Sequence, residues 1–186
     1  MDFYTYRVKL DSKRGIDSVY DGDTISNLEI DMGFKIKYVN SFRIMGIDTP
    51  ELRTKDKIEK IKGYQARTML RLLIGDKDLA IKSTTKKGTG KYGRVLGELY
   101  IHNGVLLDND GAIVSHRWLN AGYKLIDCGL AVPYYGGTKV KDWGKDEDEV
   151  EEFNKKIEII KDGKDENIEN YMEKSISVCI RKYVST

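Results

Sequence analysis

Cysteine is scarce in this chain: Cys128 and Cys179 are the two present in 186 residues. Two isolated thiols give neither a disulfide framework nor a zinc-ligand pattern, so neither staple is expected. Cys128, leading into Gly129-Leu130-Ala131, reads as a small buried hydrophobe. Histidine is equally rare. His102 precedes the turn pair Asn103-Gly104, and His116 stands beside Arg117 and Trp118, so surface or packing roles are expected for both. No serine or cysteine stands in a nucleophile–base constellation. No apolar run approaches the roughly 18 residues of a membrane-spanning helix. The first residues, Met1-Asp2-Phe3-Tyr4-Thr5-Tyr6-Arg7, lack the apolar core of a signal peptide. The expectation is a cytoplasmic chain, monomeric, with no membrane partner. No internal repeat stands out.

The remainder is an ordinary globular composition, 40% hydrophobic and 33% charged, long enough for one domain with appended structure. The net charge of +2 hides an asymmetry. Residues 142–186 carry 13 acidic and 8 basic side chains, which leaves 17 acidic and 24 basic in residues 1–141. A basic body suits a polyanion, because phosphate contacts supply most non-specific affinity for nucleic acid; lysines that merely solvate a surface give the same count. The composition change divides the chain into a domain over 1–141 and an acidic extension over 142–186. In the extension Val150, Phe153, Ile157 and Ile160 recur at helical spacing, which predicts a helical tail packed on the domain.

Along the first part, strands are expected over Phe3–Leu10, Ser18–Tyr20, Thr24–Ile30, Phe34–Val39 and Phe42–Ile47. Turn chemistry at Gly15, Asp21-Gly22, Met32-Gly33 and Asn40-Ser41 would separate them. From about Lys57 the period becomes helical through Ile58, Ile61, Gln65, Ala66, Met69, Leu70 and Leu73, with Gly75 as the stop. Leu79–Thr84 and Arg94–Ile101 read as strands. Ile113–Ala121 reads as a short helix, with Trp118 and Leu119 packed under the sheet. The fold class is therefore α+β: a five-stranded, OB-fold-like barrel with packed helices and a C-terminal helical tail.

Three clusters carry chemistry. Asp21-Gly22-Asp23-Thr24 is either a plain turn or a pair of ligands. Arg43 sits in the otherwise apolar run Arg43-Ile44-Met45-Gly46-Ile47; buried there, it needs an anion, either a carboxylate or a substrate phosphate. Asp48-Thr49-Pro50-Glu51 follows at once, as convergent carboxylates or as a helix cap. Lys91-Tyr92-Gly93-Arg94 opens a strand, and its arginine projects from the strand end. Taken together, Asp23 and Asp48, with the Thr49 carbonyl as a third donor, form a hard-oxygen set that suits Ca²⁺ or Mg²⁺ rather than zinc. Arg43 and Arg94 supply two guanidinium forks for a phosphorane-like transition state, and Glu51 is free to take a proton from, or orient, a water.

In order and spacing these motifs resemble the staphylococcal nuclease (thermonuclease) family. The matching stretches are Val19-Tyr20-Asp21-Gly22-Asp23-Thr24-Ile25, Phe42 to Glu51, Gly63-Tyr64-Gln65-Ala66 and Lys91-Tyr92-Gly93-Arg94, with a looser match at Gly129-Leu130-Ala131 and Tyr134-Tyr135. The resemblance implies a metal-dependent endonuclease acting on single-stranded or flexible DNA and RNA and leaving 3′-phosphate and 5′-hydroxyl ends. It assigns metal ligation to Asp23, Asp48 and Thr49, support of those ligands from behind to Asp21 and catalysis to Arg43, Glu51 and Arg94. Lys91 falls on a lysine near the substrate's terminal phosphate, and Tyr92, Tyr134 and Tyr135 are the candidates for base stacking. Gly90 stands where the best-known member has an aspartate. The stretch from Tyr134 to Lys139 is similar to versions in viral and phage relatives. A related barrel that binds nucleic acid without cutting it is the alternative.

Overall fold

The computed structural model describes residues 3–84, 90–139 and 141–144. The acidic extension beyond Gly144, including Cys179 and the expected tail helix, lies outside the described residues. Among the described residues, eight strands and two α-helices follow one another as β1 (Phe3–Lys9), β2 (Thr24–Asp31), β3 (Lys37–Ile44), β4 (Ile47–Asp48), α1 (Lys57–Ile74), β5 (Leu79–Thr84), β6 (Val95–Leu107), β7 (Ile113–Asn120), α2 (Ala121–Asp127) and β8 (Val132–Pro133).

Five of the strands close a ring. The hydrogen-bonded order β3-β2-β1-β5-β6 is completed by a parallel β3–β6 pairing, with Phe42 beside Val95 and Ile44 beside Gly97. Closure removes the exposed edges that an open sheet would leave, as in OB-type barrels. Strand β6 runs close to both neighbours there: a Cβ added at Gly97 would stand 3.3 Å from the Phe42 ring on β3 and 2.7 Å from the Lys82 carbonyl oxygen on β5. Alternation along each strand fills the interior with Val8, Ile25, Leu28, Ile30, Phe42, Ile44, Ile81, Leu99 and Ile101, all buried. Helix α1 starts where the Asp56 carboxylate accepts the Glu59 N–H at 2.9 Å, and it stops at Gly75, whose φ of 45° suits a residue without a side chain. Its buried stripe of Ile61, Ala66, Met69, Leu70, Leu73 and Ile74 plugs one end of the barrel. The isoleucines, leucines and methionine of that stripe each contribute about 1.5–3 kcal/mol by leaving water.

Three expectations fail locally. Ile113–Asn120 is the strand β7, not a helix; β-branched Ile113 and Val114 fit a ladder with β6, and the helix begins one residue later, where Asn120 caps α2 by accepting the Tyr123 N–H at 3.2 Å. On β7 Leu119 turns inward and Trp118 outward, where its ring stands edge-on to His102 at 5.3 Å rather than under the barrel. The expected break at Asn40-Ser41 is absent, since β3 runs through it, bonded to β2 and β6 on either side. Asn40 instead donates its amide to the Gly93 carbonyl at 3.0 Å, so long-range pairing outweighs local turn preference. The expected strand at Ser18–Tyr20 reduces to a single bridge, Val19 to Ile25, behind a 3₁₀ turn over Gly15–Ser18.

Candidate active site

The Asp21-Gly22-Asp23 turn, the end of β3, and the exit of β4 meet at one end of the barrel. The bridge between Val19 and Ile25 pinches the turn, and Tyr20 N–H bonds the Thr24 carbonyl at 2.9 Å. Inside it the Asp21 carboxylate accepts the Asp23 N–H at 3.2 Å, which points Asp23 inward. Gly22 is required by contact: a Cβ there would lie 2.7 Å from Ala66 Cβ and 3.0 Å from Thr49 Cγ2. The same helix presses on the other loop, where a Cβ at Gly63 would lie 3.0 Å from the Pro50 carbonyl oxygen. Helix α1 therefore clamps both carboxylate-bearing loops against the barrel.

Pairing within the ladder sets Thr24 beside Arg43, and the Arg43 guanidinium reaches back across it. Its Nη1 donates to Asp23 Oδ1 at 2.7 Å, and its Nη2 stands 2.6 Å from Asp23 Oδ2 and 3.7 Å from Asp48 Oδ1. Of the two anions open to a buried arginine, the structure thus supplies the carboxylate. Thr24 Oγ1 adds a hydrogen bond to Asp23 Oδ1 at 2.8 Å. Burial, and next the nearby Asp21 charge, push Asp23 up to about 8, although Arg43 and Thr24 pull the other way.

Asp48 lies on β4, across from Val132 of β8, and is 2% exposed. The α1 cap is Asp56, so Asp48, Thr49 and Glu51 precede the helix rather than cap it. Asp48 Oδ1 has the Lys139 ammonium at 2.9 Å, an ion-pair contact outside hydrogen-bond geometry; Oδ2 has no hydrogen-bond partner among the described residues. Buried carboxylate oxygens left in that condition are costly unless a cation completes them. Thr49, next in the chain, is also buried. Glu51 lies at the mouth with its side chain 47% exposed, and its Oε1 is 2.7 Å from Lys139 Nζ. For Lys139, burial lowers the ammonium's pKa, but the Glu51 hydrogen bond and the close negative charges of Glu51 and Asp48 outweigh it and raise the pKa overall.

Arg94 follows Gly93 at the head of β6, one residue before the Val95 that pairs with Phe42. Its Nε is buried without a partner among the described residues, and its guanidinium lies over the Tyr92 ring at 5.9 Å. Tyr92 is 93% exposed, on a backbone with φ of 66°, in the turn Lys91–Gly93. The Lys91 side chain lies outside the described residues. Tyr134 is tied down, its N–H to the Gly46 carbonyl at 2.9 Å and its hydroxyl to the Gly137 carbonyl at 2.8 Å, whereas Tyr135 is 91% exposed. Asp21, Asp23, Arg43 and Asp48 are thus joined through direct contacts, Glu51 is joined to Asp48 through Lys139, Arg94 enters from the neighbouring strand, and the tyrosines flank. Sequence reasoning missed Lys139, 88 residues from the Glu51 it touches, and no local pattern announces that pairing.

Among the described residues no three His, Cys, Asp or Glu side chains converge on one point. Side-chain carboxylates alone would therefore not hold a metal here. Two carboxylates, a backbone carbonyl and water are still a donor set that suits a hard cation, and the unbonded Asp48 oxygen fits that use. No helix among the described residues is long and apolar enough to cross a membrane.

No match was found among curated proteins. The sequence model of the staphylococcal nuclease homologue family matches residues 41–163. That span opens on β3 and covers Arg43, Asp48, Thr49, Glu51, Arg94 and Lys139, while Asp21 and Asp23 lie before it and are bound to it by the Arg43 contact. With a matched span this long, a barrel closed in this order and carboxylates and arginines gathered at its end, the chain belongs to the staphylococcal nuclease homologue family, a family of nucleases.

Proposed function

We propose that the chain is a metal-dependent endonuclease that hydrolyses phosphodiester bonds in single-stranded or flexible DNA and RNA, leaving 3′-phosphate and 5′-hydroxyl ends. The observation that carries this reading is the Asp23–Arg43–Asp48 cluster, with Glu51 at its mouth and a buried Asp48 oxygen left without a hydrogen-bond partner among the described residues. Asp23, Asp48 and the Thr49 carbonyl would hold Ca²⁺, or Mg²⁺ in its place, and that cation would supply Lewis-acid charge beside the scissile phosphate. Asp21 keeps the Asp23 turn in shape. Glu51 accepts the proton of the attacking water, which adds to phosphorus as the bond to the 5′ oxygen breaks. Arg94 and Arg43 stabilise charge on the equatorial oxygens. Lys91 attracts the backbone, and Tyr92, Tyr134 and Tyr135 offer faces for bases, which favours unpaired strands and little sequence preference.

A second reading has its own support. Both terminal Arg43 nitrogens and one Glu51 oxygen are already engaged, which suits a barrel that binds nucleic acid without turning it over. Cleavage of labelled single-stranded DNA and RNA by wild type and Glu51→Gln, in Ca²⁺, Mg²⁺ and EDTA, separates the two. Metal-dependent cutting to 3′-phosphate ends, reduced roughly 10²–10⁴-fold in Glu51→Gln, supports the enzyme. Retention of both substrates with no cutting in either metal supports the binding module.

A further inference from the structure

Lys139 reaches the site by a route the chain holds in place. Strand β8 lies against β4, with Val132 across from Asp48, so the segment that follows leaves from beside the carboxylate. Tyr134 is bonded to the Gly46 carbonyl, and its hydroxyl to the Gly137 carbonyl. Gly136 and Gly137 take φ of 103° and 94°, conformations that residues with a Cβ rarely adopt, and the chain bends back over the site. The Lys139 ammonium ends 2.9 Å from Asp48 Oδ1 and 2.7 Å from Glu51 Oε1. With its side chain 42% exposed, it has a path to water.

We propose that Lys139 is a built-in competitor for the divalent cation at Asp48: it neutralises Asp48 and Glu51 while the cation is absent, and it sets how tightly the cation binds. The inference rests on the proposed function in one respect, that a divalent cation is held by Asp48. An ammonium on one oxygen of a carboxylate and a divalent ion bound to that carboxylate repel each other at a separation of about 4 Å, where Coulomb energies exceed thermal energy even in a water-rich environment. Cation binding therefore requires Lys139 to leave Asp48. Because the ammonium is tethered by the Tyr134 anchor, it competes at every protein concentration. The same contact keeps Glu51 from serving as a base until the cation has arrived.

The test is cation affinity, measured on the full chain without nucleic acid by calorimetric titration with Ca²⁺ and with Mg²⁺, so that turnover plays no part. Lys139→Met removes the charge and keeps most of the apolar stem, Lys139→Gln is a second neutral variant, Lys139→Arg keeps the charge, and Asp48→Ala removes the ligand. The expected result is binding tightened by about ten-fold or more in both neutral variants, near-wild-type affinity in Lys139→Arg, and loss of binding in Asp48→Ala. Wild-type binding that is lost in Asp48→Ala but unchanged or weakened in both neutral variants overturns the competitor while leaving the metal site standing. If no variant and no wild type binds either ion, the competitor and the metal reading fall together.

Discussion

Arg43 holds Asp23 by both terminal nitrogens, at 2.7 and 2.6 Å, across the 20 residues that separate them in sequence. The contact places a guanidinium between two strands and a turn, so Arg43 has a structural duty that Arg94 lacks. The two arginines should therefore separate on mutation. Arg43→Ala strips Asp23, 2% exposed, of both contacts that Arg43 makes with it and should cost about 1–3 kcal/mol of stability. Arg94 has no ion pair among the described residues, so Arg94→Ala should change stability by less than about 1 kcal/mol while lowering kcat far more than it raises KM. Urea unfolding of both variants beside steady-state kinetics checks this. Equal stability losses would contradict the assignment.

Gly22 gives a prediction about packing. An alanine there meets Ala66 Cβ at 2.7 Å and Thr49 Cγ2 at 3.0 Å, so the turn bearing Asp23 must move away from α1 or from Thr49. Gly22→Ala should cost about 1–3 kcal/mol and weaken cation binding as well, since both ligand-bearing loops share the contact. Ala66→Gly opens space at the closer atom. The double variant Gly22→Ala/Ala66→Gly should therefore be more stable than the sum of the single changes predicts, with a coupling of about 0.5 kcal/mol or more in thermal or urea unfolding. Simple additivity would show that the two loops are not clamped by the helix.

How much of this was legible beforehand follows the range of the interactions. Helix α1 was readable to its start near Lys57 and its stop at Gly75, because capping and amphipathic period are local signals. The Arg43–Asp23 pair was half readable: a charged residue in an apolar strand demanded an anion, and only the fold could say which. Strand β7 was misread as a helix because its register is imposed by β6, and the eight-residue segment contains nothing that overrides that partner. Lys139 was not readable at all. It reaches Glu51 through the β8–β4 pairing and two left-handed glycines, neither of which has a period in the sequence.

The raised pKa of Asp23 yields a prediction with a definite sign. An aspartate whose folded pKa of about 8 exceeds the ordinary 3.8 holds its proton more tightly in the folded state than in the unfolded one. Without a metal, its contribution favours folding at low pH and is lost as pH rises from about 4 through about 8. Asp23→Asn is neutral throughout and cannot show that loss. The difference in Tm between Asp23→Asn and wild type, measured in EDTA, should therefore shift in favour of the variant as pH rises across that window and level off above it. Whatever constant offset comes from changing Arg43's partner drops out of the slope. Saturating Ca²⁺ should reverse the trend for wild type alone, because ligation favours the charged carboxylate that burial disfavours. A Tm difference that stays flat between pH 4 and pH 9 would mean that Asp23 is ionised in the folded protein with Arg43 as sufficient counter-charge, leaving no call for a cation at that oxygen.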